Sequence, residues 1–264
     1  MKNTHHGPNP HTTSWQHVGK WYNEQVGFGG HYYHQHVVIP NVLKLLKLTP
    51  QSCLLDLACG QGVLARSLPP QVAYQGIDIA RNLIADAQKL TDRPNTRFAL
   101  GNITKPLPIN KRDFTHAAII LALQNIEELG SVFANVFNHL NSGGKLVIVM
   151  NHPCFRIPRQ SSWGIDEQNK TQYRRIDHYS TSMKIPITAS PSRGQQSPIT
   201  WSFHFSIDTL SNALYQNGFV IEKIEEWSSD KQSHGRAARM ENRSRSEIPL
   251  FMAFLCQKWD KKGK

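Results

Sequence analysis

Residues 52–66 read "SCLLDLACGQGVLAR", an apolar run that passes through Gly-x-Gly directly into a proline-free segment of helix formers. A buried strand followed by a tight turn and a helix is the opening unit of a parallel α/β sheet. Gly60 and Gly62 permit the torsion angles of such a turn and let the backbone pass close to a ligand. The turn alone is weakly specific, because "GQGVLA" also matches the GxGxxA form of a dinucleotide-binding fingerprint.

The rest of the chain repeats the unit. Apolar runs of strand length recur at 73–79, 96–102, 115–123 and 145–151. Between them lie helix-period segments, "GVLARSL", "ARNLIADAQKL" and "EELGSVFANVFNHL"; the last places Leu129, Val132, Phe133, Val136, Phe137 and Leu140 on one face. The expected centre is therefore a parallel sheet with strands buried on both sides. Towards the end the rhythm changes. "SIDTLSNALYQNGF" predicts a helix with Ser206 as its N-cap and Gly218 just past its end, followed by a strand at 219–227 and a last one within 248–258. The polar, arginine-containing link between these two has no helical periodicity, so they are expected to pair antiparallel at the sheet edge. Residues 1–48 form a preface containing the amphipathic stretch "VVIPNVLKLLKL", and 152–205 a long Pro-, Ser- and Arg-rich insertion.

Composition narrows the class. Hydrophobic residues make up 39% and charged residues 19%, as in folded soluble domains. The first fifteen residues lack an apolar core, and no run approaches the length of a membrane span. Cys53, Cys59, Cys154 and Cys256 are scattered without a CxxC pair, which argues against a zinc site or a disulfide framework. A reducing, cytoplasmic setting is expected. The net charge of +11 is spread evenly along the chain, with local clusters at 235–247 and 258–264; it reads as solvated surface, with a nucleic-acid face as the alternative.

Three further residues separate the ligands that a glycine turn serves. Asp56, four residues ahead of Gly60, would repel a pyrophosphate but could accept from an ammonium group. Asp78, ending the second strand, is placed to accept both hydroxyls of a ribose. Asn102, after the third strand, offers an amide to an adenine edge, with Ile79 and Ile103 as apolar plates for the ring. The ligand these residues suit is an adenosine joined to an amino acid.

On these motifs the chain resembles the class I S-adenosylmethionine-dependent methyltransferases over roughly residues 50–150. Within that family it looks like the methyltransferase type 11, or ubiquinone/menaquinone-type small-molecule, branch. The resemblance implies a Rossmann-like seven-stranded sheet of order 3-2-1-4-5-7-6, mostly parallel with a reversed last strand and helices on both faces. It implies S-adenosyl-L-methionine as cofactor, held by Asp56, Ala58, Cys59, Gly60, Gly62, Asp78, Ile79, Asn102 and Ile103, with Leu121 and Ala122 of "LALQNIEE" facing it. "LNSGGKLVIVMN" is similar to the family's L-x-P-G-G turn into strand five, with Ser142 in place of the proline; Thr115 stands where an Asp is common. The implied organisation is a helical lid over 1–48 and a methyltransferase domain over 49–264, with 152–205 an inserted substrate cap.

The acceptor is less constrained, because methyl transfer is chiefly a matter of alignment and needs no particular catalytic motif. A small-molecule acceptor is expected, with RNA methylation and a non-catalytic or NAD-binding module as alternatives. "NHPCF" (151–155) follows the fifth strand, not the fourth, and so is not the tetrapeptide of amino-methyltransferases. His152, directly after a strand end, is the first candidate for a general base, and Tyr33 the second. The stretch "HYYHQH" (31–36) has helical spacing for only two metal ligands, so no metal is expected. A lid reading makes Tyr22, His31, Tyr32 and His34 candidates for the acceptor pocket and for an aromatic cover over the sulfonium. Arg156 and His178 in the insertion join them, an arginine being suited to an acidic substrate. A monomer or homodimer fits equally.

Overall fold

A computed structural model describes residues 30–188 and 199–259. The chain enters through a wide π turn over His34–Val38 that runs straight into α1 (Ile39–Leu46). Pro40 sits at this change of pitch, where its missing N–H forfeits least of the helical hydrogen-bond ladder. Alternating elements follow: β1 (Cys53–Leu57), α2 (Val63–Arg66), β2 (Ala73–Asp78), α3 (Arg81–Leu90), β3 (Thr96–Leu100), β4 (Phe114–Ile120), α4 (Leu129–His139) and β5 (Leu140–Asn151). Two hairpins come next, β6 (Ser161–Asp166) with β7 (Thr171–Ile176) and β8 (Met183–Thr188) with β9 (Ile199–His204). The chain then closes through α5 (Ile207–Gln216), β10 (Phe219–Trp227), α6 (Ala238–Glu247) and β11 (Phe251–Lys258).

Seven strands form one sheet in the spatial order β3-β2-β1-β4-β5-β11-β10. The pairs β1·β2, β1·β4, β2·β3 and β4·β5 are parallel, whereas β11 runs antiparallel to both β5 and β10. This is the expected mostly parallel sheet with a reversed last strand. Both faces are buried, and alternation along each strand divides the core in two. Leu146, Ile148 and Met150 of β5 pack with Val132, Phe133 and Val136 of α4 and Leu210 and Leu214 of α5 on one face. Val147 and Val149 pack with Val42, Leu45 and Leu46 of α1 and Leu64 of α2 on the other. Ser206 caps α5 as expected, accepting from the Thr209 amide.

Three features depart from the sequence expectation. The fifth strand begins at Leu140 rather than 145, since the backbone of "LNSGG" stays beside β4 across a register shift. The insertion is built from hairpins. The link before the last strand contains the ten-residue α6, in which the one buried residue is Ser244. A helix with so little apolar face carries no 3.6-residue pattern to read. Polar contacts hold it: Asn242 Oδ1 accepts from the Ser233 amide at 2.7 Å, Arg245 Nη1 donates to Ser233 Oγ at 2.5 Å, and Ser244 Oγ donates to Gln172 of β7.

Candidate active site

The C-terminal ends of β1, β2, β3 and β4 open into one cleft of about 420 Å³, a size that suits a nucleoside-sized ligand. Ala58, Gly60, Asp78, Ile79, Asn102, Ile103, Leu121 and Ala122 all line it. A parallel sheet produces this convergence, because its strand ends lie on one rim and the turns that follow face the same crevice.

The floor of the cleft is unusual backbone. Ala58 (φ 58°) and Leu121 (φ 52°) both adopt left-handed torsions at the ends of β1 and β4, a conformation costing non-glycine residues on the order of 1 kcal/mol each. Gly60 takes φ 56°, and a Cβ built there would meet nothing within 4 Å, so its missing side chain leaves open space in the cleft. Gly62 has a different task. It lies outside the cleft at the start of α2, with φ 77°, and an added Cβ would sit 3.0 Å from the Phe98 ring.

Asp78 organises the turn. Its Oδ2 accepts the Gly60 amide and its Oδ1 the Ala80 amide, each at 2.8 Å. Burial raises its pKa, against the lowering effect of these bonds. Next to it Ile79 is 49% exposed, an apolar plate held on the cleft wall. Asn102 Oδ1 accepts from both the amide and the hydroxyl of Thr104, which leaves the amide nitrogen as that side chain's donor.

A smaller cavity adjoins the glycine turn, lined by Asp56, Cys59, Gly60 and His34 among others. Asp56 is buried, its Oδ2 accepting the Tyr74 hydroxyl at 2.6 Å, and burial pushes its pKa up to about 7; the Tyr74 bond opposes this and the Asp78 charge adds to it. Burial raises the Cys59 thiol well above its usual range. His34 has its pKa lowered to about 4, by burial first and His31 second, and its Nδ1 is buried with no hydrogen-bond partner among the described residues.

The other candidates are placed elsewhere. His152 is 1% exposed and lines neither cavity. Its Nδ1 accepts the amides of Cys154 and Phe155 at 3.1 and 3.4 Å, so Nε2 carries the proton and donates to Glu226 Oε1 at 2.6 Å. Both ring nitrogens are thus engaged, and burial lowers its pKa against the raising effect of Glu226. The Tyr32 and Tyr33 rings turn towards the segment after β10: their hydroxyls meet Asp230 and Ser229, and Lys231 Nζ lies 4.4 and 5.1 Å from the ring centroids. His31 is exposed beside Tyr33, and exposed His178 pairs with Gln160. Tyr22 lies outside the described residues. Among the described residues no cluster of three His, Cys, Asp or Glu side chains could hold a metal.

The cleft also contains residues that sequence reasoning did not single out. Asn125, Ile126 and Glu127 line it from the loop after β4, within the quoted "LALQNIEE" but without a role drawn from it. Phe203 of β9 closes the wall from the insertion, and no local pattern announces that. Lys184 of β8 bonds Glu127 at 3.1 Å and lies over the Phe203 and Trp201 rings, which ties this hairpin to the cleft rim.

The sheet order and the rim cleft are those of the class I methyltransferase fold. Residues 54–144 match the model of a methyltransferase domain family. Among solved structures, a putative S-adenosylmethionine-dependent methyltransferase from Listeria monocytogenes superposes with a TM-score of 0.67 at 21% identity, covering 84% of this chain and 98% of that one. One from Mesorhizobium loti does so at 0.64 and 22%, covering 83% and 96%. A demethylmenaquinone methyltransferase of Lactococcus lactis is 31% identical over 116 residues, 41% of this chain and 46% of the relative. The chain thus spans about half the length of the curated relative it matches. Residues 54–144 are thus similar to a methyltransferase domain family, and they lie on a Rossmann-like sheet shared with these solved structures.

Proposed function

We propose that the chain binds S-adenosyl-L-methionine in the rim cleft and transfers its methyl group to a small-molecule acceptor. The observation that carries this reading is the adjacency of two unlike cavities that share Ala58, Gly60 and Ile120: an apolar, amide-edged one at Ile79, Ile103 and Asn102, and an ionisable one at Asp56 and His34. The fit is specific. The Asp56 carboxyl and the His34 Nδ1, which has no partner among the described residues, suit an amino-acid head group, and the open space at Gly60 suits the chain that joins it to a nucleoside. A pyrophosphate would meet the Asp56 carboxyl in that cavity.

When bound, the cofactor supplies an electrophilic methyl carbon on a sulfonium. The protein's part is alignment and exclusion of water, worth on the order of 7–11 kcal/mol when fully realised. In this reading Asp56 holds the ammonium, Asp78 the ribose and Asn102 the adenine edge, while Leu121 and Ala122 present backbone to the reacting end. The hairpin β8–β9, through Phe203, acts as a cap over the rim cleft, and the helix-containing segment 30–48 covers the amino-acid end through His34. His152 serves as a positioning residue for the chain leaving β5. The Lactococcus lactis relative, a demethylmenaquinone methyltransferase by name, supports a small acceptor.

Calorimetry with S-adenosylhomocysteine and with NAD tests the binding step. Micromolar affinity for the first and no response to the second are expected; the reverse would make this a dinucleotide module. Incubation with labelled S-adenosylmethionine and a metabolite extract would then identify the acceptor.

A further inference from the structure

A third pocket, of about 380 Å³, lies on the same rim beyond β5, lined by Tyr33, Asn151, Arg156, Ile157, Arg174 and Phe251 among others. Trp163 and Arg174 are cross-strand partners in β6–β7, and the guanidinium carbons of Arg156 and Arg174 lie 5.4 and 5.2 Å from the Trp163 ring centroid. Two cations therefore share one aromatic ring. Among the described residues no carboxylate pairs with either of them, although Arg175 and Arg245 nearby in sequence or space do have acidic partners.

The two arginines differ in what holds them. Arg174 donates from Nε to Phe155 O at 2.7 Å and from Nη2 to Ser161 Oγ at 2.7 Å, so it is part of the wall. The Arg156 guanidinium makes no hydrogen bond to any described residue, and its Nε is buried without a partner. Burial and the neighbouring Arg174 charge push its pKa down to about 10. Uncompensated like charges against apolar walls are unfavourable until an anion joins them, and a planar guanidinium fork matches carboxylate and phosphate oxygens.

The pocket neighbours the methyl-transfer cleft along the same strands. The Leu121 amide, on the cleft floor, donates to Val149 O of β5 at 2.7 Å, and Asn151 stands two residues further along that strand in the arginine pocket. On the other side, consecutive residues Tyr33 and His34 line the arginine pocket and the small cofactor cavity respectively.

We infer that this pocket is the acceptor subsite, and that the methyl acceptor is a small molecule bearing a carboxylate or phosphate on an apolar body, with Arg156 as the residue that binds the anion. The inference rests on the methyltransferase reading for the word acceptor, but not for the anion. The walls formed by Ile157, Leu250 and Phe251 suit the apolar body. Its two cations, gathered at the single Trp163 ring, suit a small anion better than a nucleic-acid backbone, which binds along an extended basic surface.

The test is calorimetry on the full chain with benzoate, phenyl phosphate and the neutral isostere benzamide, with S-adenosylhomocysteine titrated in parallel. One of the two anions should bind at least about tenfold more tightly than benzamide, as charge-assisted pairing requires, and the tighter of the two tells carboxylate from phosphate. Arg156→Gln should abolish that preference and leave S-adenosylhomocysteine affinity unchanged. Arg156→Lys should retain part of it. Because the Arg156 guanidinium bonds to no described residue, these variants remove no hydrogen bond among the described residues, and a melting curve checks that the fold is kept. Equal binding of all three probes, or an undiminished preference in Arg156→Gln, overturns the inference. So does binding of tRNA with both small anions inert. Anion preference without S-adenosylhomocysteine binding would leave the anion pocket standing and remove the methyltransferase reading instead.

Discussion

The carboxylate of Asp78, at the end of β2, accepts the backbone N–H of Gly60 in the turn after β1 at 2.8 Å. One side chain therefore fixes the shape of the glycine turn and presents its remaining lone pairs to the cleft. Asp78→Asn exchanges an acceptor for a donor opposite one of two amides. It should cost about 1–3 kcal/mol of stability, the usual penalty for an unsatisfied buried group, in addition to weakening S-adenosylhomocysteine binding. Denaturant unfolding and calorimetry on the same variant separate the two effects. Weakened binding with unchanged stability would mean that the turn does not depend on this bond.

Asp56 should make S-adenosylhomocysteine binding proton-linked. A carboxyl whose pKa rises from 3.8 to about 7 on folding takes up a proton as the chain folds. Its contribution to stability is complete below the lower value and fades as pH rises through the higher one. An ammonium group bound beside it should drive that proton off. At pH 6.5, S-adenosylhomocysteine binding should therefore release a substantial fraction of a proton. Binding enthalpies in buffers of different ionisation enthalpy measure this, and Asp56→Asn should abolish the dependence.

His34 has the opposite sign. With its pKa lowered from 6.5 to about 4, the unfolded chain binds the extra proton, so its contribution to stability is lost as pH falls from 6.5 through 4. Because its Nδ1 lacks a partner among the described residues, His34→Ala should weaken S-adenosylhomocysteine binding about tenfold, the loss of one hydrogen bond to a charged group, with little change in melting temperature. Unchanged affinity would return His34 to a packing role.

Loss of His152 should act on the fold. Its two ring nitrogens link the chain after β5 to Glu226 of β10, so His152→Ala should lower the melting temperature markedly. Activity of the surviving folded enzyme should stay well above the ~10²–10⁴-fold loss that follows removal of a general base. A loss of that size at full stability would make His152 the base.

Glu127 and Lys184 pin the β8–β9 hairpin to the cleft rim. An exposed ion pair contributes little stability, but here it restrains a covering element. Glu127→Gln should leave unfolding free energy nearly unchanged and speed S-adenosylhomocysteine dissociation about two- to fivefold, the range that ~0.4–1 kcal/mol spans. Stopped-flow displacement reads the rate.

Much of this was legible before any coordinates. Continuous apolar runs marked the sheet strands because both faces are buried, and the strand at 219–227 has the very bounds read from the sequence. Helix α6 was not legible, since it is held by Ser233, Asn242 and Gln172 through polar contacts rather than by an apolar stripe. The course of "HYYHQH" was not legible in the sequence. The π turn over His34–Val38 directs His34 at the glycine turn, while the Tyr32 and Tyr33 hydroxyls meet Asp230 and Ser229.

What the sequence determined by itself was local: strand and helix periods, the strained turns, and the short-range order that places Asp56, Gly60 and Asp78 at neighbouring strand ends. A parallel sheet converts that order into a rim without further information. Tertiary structure decided which distant groups meet there, bringing Phe203 to the cleft wall and Arg156 and Arg174 to one ring. Those meetings depend on how the insertion folds back over the sheet, and side chains far apart in the chain leave no period in the sequence to record them.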